Sequence, residues 1–465
     1  MSETVDANVE HRVHRSGRIF GKLTRLFTLP RFSLRKRIAQ ARTEHQQLPL
    51  DFVDDPPTEP QEVDSGKKRR WTRPTLPKRP KQKTPDYLER RKDQRRRKRA
   101  AEKGTALDST VSDGMRSRLG ATVSKIETDF NTDVLLESTS GYLGMERVDE
   151  SVRALRQEQT LADLTGENSP YHFDIIEANI EHLEPTLFTD SSQRVFAARV
   201  PPPSGDPRFL DAAVQAADVL EQYRPVLFNE NEPYPGHRRG DFAVKAVGVS
   251  FGGGQKKPKR IYHPEIDLQL LTDICEMSCI TRLAGHASTA FQTWAPNLYD
   301  LYVGYMKRLK ELFPDIMFNF SNSVFACCTL NFGPQTVTIE HLDNLNYIFG
   351  WCAITALGSF DHRAGGHFVL WDLKQVVELP VGWTMLIPSS YLRHSNTRIQ
   401  PDEKRYSLTQ YTAGGLFRVI DNEGKTRKKM SRSERATAEK LQALRLSQDL
   451  NCYSTLEQLG VTAAD

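Results

Sequence analysis

Short hydrophobic runs recur along the chain from about residue 323 to 420. They occupy residues 324–330, 336–339, 347–356, 367–370, 384–387 and 407–412. The runs are rich in β-branched and aromatic residues, and Gly, Pro and Asn separate them, as in strands joined by turns. Several short strands at this spacing are typical of a β-sandwich or jelly roll. The sequence therefore predicts a strand-rich core in this part of the chain.

Other parts of the chain show a hydrophobic spacing of three to four residues, which predicts helices. Over residues 266–313 the stripe consists of Leu298, Leu301, Tyr302, Tyr305, Met306, Leu309 and Leu312. The same spacing at 152–155 and 212–223 predicts that residues 106–225 are mostly helical. The sequence also predicts a charged helix over residues 431–446. A strand-like run at 241–249 ends at a triple glycine over residues 252–254, which lacks the Lys-Ser/Thr of a phosphate-binding loop.

Charge is distributed unevenly along the chain. Residues 1–105 contain 28 Lys and Arg against 14 Asp and Glu, whereas the remaining residues contain 36 against 45. Blocks of like charge without a hydrophobic period are typical of disorder. We therefore predict a disordered basic arm over 1–105, a mostly helical region over 106–225, a strand-rich domain over 226–424, and a charged helical tail over 425–465.

The basic arm bears on partners and location. Its clusters at 67–70 and 95–99 match nuclear-localisation signals or nucleic-acid-binding patches, so we expect a nuclear protein with a polyanionic partner. A solvated tail is the alternative, and the Arg-rich segment 15–42 leaves a mitochondrial location as a second one. The six cysteines include no Cys-x-x-Cys pair, which argues against structural zinc, and the longest apolar stretch, 347–360, is too short and too interrupted by Gly for a membrane span. No protein partner is evident.

The chemistry is concentrated in one pattern of histidine and carboxylate. His341 and Asp343 lie two residues apart, and such residues share a face in an extended strand. His394 follows 53 residues after His341, and two histidines with one carboxylate form the facial triad of non-haem Fe(II) oxygenases. His182 and His263 also precede a carboxylate by two residues, so the spacing to a further histidine carries the prediction.

A second pattern follows the proposed ligands. Arg405 and Ser407 come eleven and thirteen residues after His394 and share a strand face by the same period of two. A guanidinium binds a carboxylate bidentately, which suits the far carboxylate of 2-oxoglutarate; a surface ion pair is the alternative. Fe(II), 2-oxoglutarate and O₂ are the expected cofactor and cosubstrates. His362 and His367 are competing ligands, although His367 fits a buried structural role better.

The segments around these residues resemble the TET/JBP nucleic-acid-base dioxygenases, in the fungal branch of that family. The resemblance lies in His-Leu-Asp-Asn-Leu-Asn at 341–346, Leu-Gly-Ser-Phe at 357–360, Gly-Gly-His-Phe at 365–368, Leu-Arg-His-Ser-Asn-Thr at 392–397, Lys-Arg-Tyr-Ser at 404–407, and Gly-Gly-Leu-Phe-Arg at 414–418. Segments 238–241 and 252–258 are also similar. The likeness covers about residues 225–422, under half of the chain.

This resemblance implies an α+β fold with a double-stranded β-helix (jelly-roll or cupin-like) core and flanking helices. It implies oxidation of the methyl group of 5-methylcytosine or thymine in nucleic acid, DNA foremost, with conversion of 2-oxoglutarate and O₂ to succinate and CO₂. It also implies that Asn346, three residues after the ligand Asp343, contacts the flipped base, with a turn-capping role as the alternative. The Cys-rich zinc-binding region of the animal enzymes is missing, so their docking on DNA is not implied.

Two other functions fit part of the pattern. A 2-oxoglutarate-dependent protein side-chain hydroxylase would share the triad and the arginine. A non-catalytic chromatin-binding module would keep the fold and lose the triad. The sequence leaves open the modified base, DNA against RNA, the extent of oxidation, the oligomeric state and the role of the arm.

Overall fold

The computed structural model describes residues 10–13, 19–22, 105–112, 114, 120, 122–132, 141–144, 157–228 and 239–461. The chain divides into two compact units, 1–82 and 83–465. In the first unit, strands β1 (Glu10–Val13) and β2 (Ile19–Lys22) pair in antiparallel fashion. The remainder of the predicted basic arm up to residue 104 lies outside the described residues.

Two sheets form the centre of the second unit. The larger sheet has nine strands, in the order β3 (Ser124–Glu127), β5 (Thr186–Thr189), β6 (Val195–Val200), β13 (Thr384–Ile387), β10 (Cys352–Ser359), β15 (Lys404–Tyr411), β9 (Cys327–Asn331), β7 (Val244–Ser250) and β8 (Lys259–Arg260). The smaller sheet has four strands, in the order β14 (His394–Asn396), β11 (Phe368–Leu370), β12 (Gln375–Val377) and β4 (Asp174–Ile176). From β9 to β15 the chain passes repeatedly between the two sheets.

Helices flank the two sheets. They are α1 (Leu161–Thr165), α2 (Arg208–Leu227), α3 (Glu265–Glu276), α4 (Ser278–Trp294), α5 (Pro296–Leu312), α6 (Gly414–Asp421) and α7 (Arg432–Gln448), with 3₁₀ turns at Ala106–Asp108, Trp371–Leu373, Arg427–Lys429 and Asp449–Cys452. Tyr406 and Leu408 of β15 pack in one hydrophobic cluster with α2, α3 and α4. The alternate residues Arg405, Ser407 and Thr409 line a pocket instead, as the period of two in a strand requires. One face of β15 therefore serves the core and the other serves the site.

An aromatic cluster fixes the helices beside the site. Phe291 of α4 stacks on Phe325 and on Trp351, with ring centroids 5.3 and 5.7 Å apart. Tyr347 stacks on Phe417 of α6 at 4.0 Å. Burial of each such ring stabilises the fold by about 1.5–3 kcal/mol. The cluster anchors residues 347–351, which directly follow the segment that carries the proposed ligands 341 and 343.

The predicted strand-rich region is confirmed: the structure is a mixed α+β fold with large sheets. Strand β13 has the predicted bounds, and β15 lies within three residues of them, whereas β10 begins five residues and ends three residues later than predicted. Residues 336–339 form no named strand. They connect to neighbouring segments through backbone hydrogen bonds, and isolated bridges flank them at Gln335 and His341. The two helices predicted near residues 298–312 and 431–446 are present as α5 and α7.

The prediction that residues 106–225 are mostly helical is wrong for the described residues. This region contains β3 to β6 as well as α1 and most of α2, and β6 pairs with β13 of the larger sheet. Strands β5 and β6 are buried at every position, so their hydrophobic run lacks the alternation that identifies a half-exposed strand. The proposed boundary at 225 therefore does not separate two domains.

The C-terminal segment packs against the body. Tyr453, Leu456 and Leu459 are buried in the main hydrophobic cluster, and the Tyr453 hydroxyl donates to the Phe349 carbonyl at 3.0 Å. The six cysteines carry free thiols. In the described part of the chain, no helix combines the length and the apolar character that a membrane crossing requires.

Candidate active site

Three side chains converge between the two sheets. The ligand atoms of His341, Asp343 and His394 all lie within 4.8 Å of one another. The two histidines exchange backbone hydrogen bonds, each N–H donating to the other's carbonyl at 3.1 Å, and directly opposed residues of an antiparallel pair share a face. Their ring centroids are consequently 4.3 Å apart. The Asp343 N–H donates to the Ser389 carbonyl at 2.8 Å, which holds the carboxylate beside the rings.

Backbone carbonyls set the tautomer of both imidazoles. Nδ1 of His341 lies 2.8 Å from the Ile339 carbonyl oxygen, and Nδ1 of His394 lies 2.9 Å from that of Leu392. A carbonyl only accepts, so each Nδ1 carries a hydrogen, and Nε2 is the ring nitrogen that can bind a metal. Desolvation, and then the neighbouring His394, lower the pKa of His341 well below its usual value. Neutral imidazoles and one carboxylate suit a divalent transition metal such as iron.

An ion-pair cluster supports the two segments that carry the histidines. Arg393 contacts Glu340 at 2.9 Å and Asp372 at 2.7 Å. Residues 340 and 393 directly precede the two histidines, so the cluster joins the two segments one residue away from the proposed ligands. Such outer contacts orient metal ligands and tune their affinity.

Asn396 ties residues 336–338 to β14. Its Oδ1 accepts from the backbone N–H and the hydroxyl of Thr338 at 2.9 and 2.8 Å, and its Nδ2 donates to the Thr336 carbonyl at 3.1 Å. These side-chain contacts replace part of the backbone ladder that the short segment lacks. They also place Thr336 and Thr338 on the wall of the pocket.

Arg405 is a buried cation without a carboxylate partner among the described residues. Only 2% of the residue is exposed, one guanidinium nitrogen donates to the Thr336 carbonyl at 3.3 Å, and its Nε has no acceptor. Burial lowers the pKa of Arg405 to about 10. An unpaired buried charge is costly unless a ligand compensates for it. The guanidinium of Arg405 is therefore available to bind an anionic ligand.

The pocket around Arg405 also contains unsatisfied hydrogen-bonding groups. The Ser407 hydroxyl accepts from Nδ2 of Asn331 at 2.7 Å. Oδ1 of Asn331 and the hydroxyl of Thr336 are buried without partners. The pocket has a cavity volume of about 40 Å³, and its lining includes the three proposed ligands. An anion bound by Arg405 would therefore lie in the same pocket as the three proposed metal ligands.

The structure thus brings five predicted residues into one pocket: His341, Asp343, His394, Arg405 and Ser407. Asn346 is 8% exposed and does not line it; its Nδ2 donates to the Ser389 hydroxyl at 3.0 Å, and its N–H donates to the Asp343 carbonyl at 2.8 Å. This side chain supports the ligand-bearing loop, and its contact with a base stays a prediction.

The competing histidines do not join the metal-ligand group. His367 is fully buried, with Nδ1 3.1 Å from the Thr397 hydroxyl, as expected of a structural histidine. Among the described residues, His362 also lies outside the group of side chains that could hold a metal ion.

Several residues of the site escaped the sequence analysis. Arg239 approaches Asp343 at 3.9 Å, and Asn331, Thr336 and Asn396 line the pocket. Arg239 and Asn396 lie inside the segments noted above, which was their only signal. Asn331 and Thr336 had none, because each is an ordinary polar residue until the fold places it near Arg405.

No protein-family model and no curated protein matches the sequence. Solved structures give low similarity. NgTET1 in complex with 5mC DNA has a TM-score of 0.35 and 12% identity, over 55% of this chain and 84% of that chain. A 2OG-Fe(II) oxygenase family protein from Burkholderia pseudomallei has a TM-score of 0.23 and 17% identity, over 42% and 89%. A viral collagen prolyl hydroxylase from Paramecium Bursaria Chlorella virus-1, in its 2OG complex, has a TM-score of 0.24 and 11% identity, over 46% and 94%.

Proposed function

We propose that this chain is an Fe(II)- and 2-oxoglutarate-dependent dioxygenase. The observation that carries the proposal is the buried guanidinium of Arg405, without a described carboxylate partner, in the same pocket as two imidazoles and a carboxylate. A metal site alone would fit many hydrolases. A metal site with a buried anion receptor in the same pocket fits a cosubstrate that binds the metal and also places a carboxylate on the receptor.

Each side chain has a defined task in this proposal. His341 and His394 would hold Fe(II) through Nε2, and Asp343 would hold it through a carboxylate oxygen. Arg405 binds the far carboxylate of 2-oxoglutarate, and the Ser407 hydroxyl adds a hydrogen bond. The burial of both residues excludes water from that end of the pocket. The iron centre supplies the oxidation, in which R–CH₃, O₂ and 2-oxoglutarate give R–CH₂OH, succinate and CO₂.

The proposed substrate is the methyl group of a pyrimidine in nucleic acid, 5-methylcytosine or thymine. The motifs at 341–346, 357–360, 365–368 and 414–418 support this choice, because they resemble the TET/JBP enzymes. The basic arm and its nuclear-type clusters are consistent with it. A base in a duplex must leave the stack to reach such a pocket, at a cost of a few kcal/mol.

We also propose that the two sheets form a double-stranded β-helix. Strands β9, β10, β13 and β15 belong to the larger sheet, whereas β11, β12 and β14 belong to the smaller sheet, so the chain alternates between two facing layers. The antiparallel pairs β10–β13, β10–β15 and β11–β14 connect these strands. This alternation supports a double-stranded β-helix.

We expect the protein, supplied with Fe(II) and 2-oxoglutarate, to oxidise a methylated pyrimidine. The assay uses oligonucleotides that carry 5-methylcytosine, thymine or N6-methyladenine, with nucleoside mass spectrometry and succinate measured together. The expected result is a hydroxymethyl pyrimidine, with about one succinate per oxidised methyl group. Succinate formed in response to peptides alone would support the side-chain hydroxylase instead, and no turnover with any substrate would support the non-catalytic alternative.

Asn346→Ala is expected to raise KM for the oligonucleotide roughly tenfold, because one hydrogen bond to the base is worth about 1–1.5 kcal/mol. The measurement is steady-state kinetics with 2-oxoglutarate and oligonucleotide varied separately, and KM for 2-oxoglutarate should stay unchanged. If metal affinity and Tm fall while KM for the oligonucleotide does not rise, the side chain only supports the loop through Ser389.

A further inference from the structure

We propose that a second, larger groove binds the phosphate backbone of the nucleic acid whose base enters the pocket. This groove, here called the basic groove, has a volume of about 450 Å³. Its lining includes Gly252, Gly253, Gly254, Arg418, Lys425, Arg427, Arg435 and Glu439. The inference rests on the proposed function for the identity of the polyanion.

The charges of the basic groove favour an anion. Its lining holds four basic side chains and one acidic side chain, Glu439, which forms an ion pair with Arg427. Lys425 pairs with Glu434 at 2.5 Å. Arg418 and Arg435 form no ion pair with any described carboxylate, and Nε of Arg435 donates to the Met430 carbonyl at 3.2 Å. Two uncompensated guanidinium groups therefore face a groove on a body whose overall charge is acidic.

More basic side chains border the groove. Lys428 and Lys429 lie in the exposed 3₁₀ turn Arg427–Lys429, next to the lining residue Met430. Lys256 and Lys257 are exposed and follow directly after the glycine turn and Gln255. Exposed lysines and arginines that follow a groove suit a chain of phosphates better than a single small anion.

The triple glycine allows a ligand to approach the backbone closely. A Cβ at residues 252, 253 or 254 would meet no atom within 4 Å, so the turn is open to solvent. Gly253 and Gly254 have backbone φ values of 55° and 86°, which residues other than glycine rarely adopt. Their N–H groups donate to no acceptor in the described part of the chain. Backbone donors beside guanidinium groups are typical of phosphate binding.

A series of contacts connects the basic groove to the proposed metal site. Asn346, bonded to the Asp343 carbonyl, forms a backbone bridge with Ala413. Two residues later, Gly415 packs so tightly on Phe251 that a Cβ there would come within 1.9 Å of the Phe251 carbonyl oxygen. Phe251 and Gly252 begin the glycine turn. Buried backbone contacts therefore connect the glycine turn to the loop that carries Asp343.

The test measures binding of an unmodified double-stranded oligonucleotide to the full-length protein by fluorescence anisotropy, over a range of salt concentrations. Arg418→Gln/Arg435→Gln should weaken binding roughly tenfold or more at about 0.1 M salt and should lower the salt slope by about two, since each phosphate contact contributes about 0.9. Lys428→Gln/Lys429→Gln, which changes exposed side chains alone, should shift both quantities in the same direction. Thermal unfolding verifies that each variant is folded.

Lys440→Gln is the matched control. It lies on the same helix as Arg435, five residues later, and at 100° per residue it points away from the face formed by residues 435, 438, 439 and 442. This variant should bind like the unmodified protein. Equal affinity and salt slope in all three variants would overturn the groove proposal, as would preferential binding of an acidic phosphopeptide.

The outcomes separate this inference from the proposed function. If both groove variants bind weakly but the unmodified protein oxidises no methylated base, the groove stands and the proposed reaction fails. If oxidation occurs and the groove variants bind normally, the reaction stands and the groove fails.

Discussion

His394→Ala should lower the affinity for a divalent metal by more than about 100-fold and abolish 2-oxoglutarate turnover, because loss of an outer-sphere partner alone costs 10–100-fold. His394 supplies one of three ligand atoms, and the backbone pairing with His341 leaves no other described side chain close enough to replace it. Metal affinity is measured by calorimetric titration with Mn(II), and turnover by succinate release. His341→Ala and Asp343→Ala should behave in the same way.

His182→Ala is the matched control for the triad. His182 also precedes a carboxylate, Glu184, by two residues, but its side chain is exposed and lies outside the metal-ligand group. Its replacement should leave metal affinity and turnover unchanged. Full activity in any one of the three triad variants, with metal affinity retained, would reject the assignment.

Arg405→Met should affect stability and function in opposite directions. Without ligand, the variant no longer holds a buried charge that lacks a carboxylate, so its free energy of unfolding should rise by about 1–3 kcal/mol. Its KM for 2-oxoglutarate should rise by at least about 100-fold, because a buried charge pair with the ligand is lost. Thermal unfolding with and without 2-oxoglutarate, in the presence of Mn(II), measures both effects. Added 2-oxoglutarate should raise Tm of the unmodified protein and leave Tm of the variant unchanged.

Arg363→Met provides the comparison, since Arg363 is exposed and lies outside the pocket. It should change neither the unfolding free energy nor KM for 2-oxoglutarate. If Arg405→Met instead destabilised the protein and left that KM unaltered, Arg405 would be a structural residue, and the anion receptor would be lost from the proposal.

The strand-rich core could be predicted from the sequence because most of its strands carry β-branched and aromatic runs between turn residues. β13 shows this most clearly, with predicted and observed bounds identical. Strands β4, β5 and β6 were missed because they are very short or buried on both faces, which removes the alternation that marks a strand. β4 joins the smaller sheet by pairing with β12, and β6 joins the larger sheet by pairing with β13, both of which lie far along the sequence, and β5 pairs with β6.

The candidate site likewise combines features that could be predicted from the sequence with features that depend on the fold. The spacing of His341 and Asp343, and of Arg405 and Ser407, follows from the period of two in extended chain, so sequence alone was sufficient for each pair. Pairing across the sheets decided that the two groups share a pocket. The carbonyls that set the imidazole tautomers, the absence of a carboxylate near Arg405 among the described residues, and the basic groove also depend on contacts between distant segments. Local geometry is encoded in neighbouring residues, whereas burial and charge compensation exist only after distant segments have packed together.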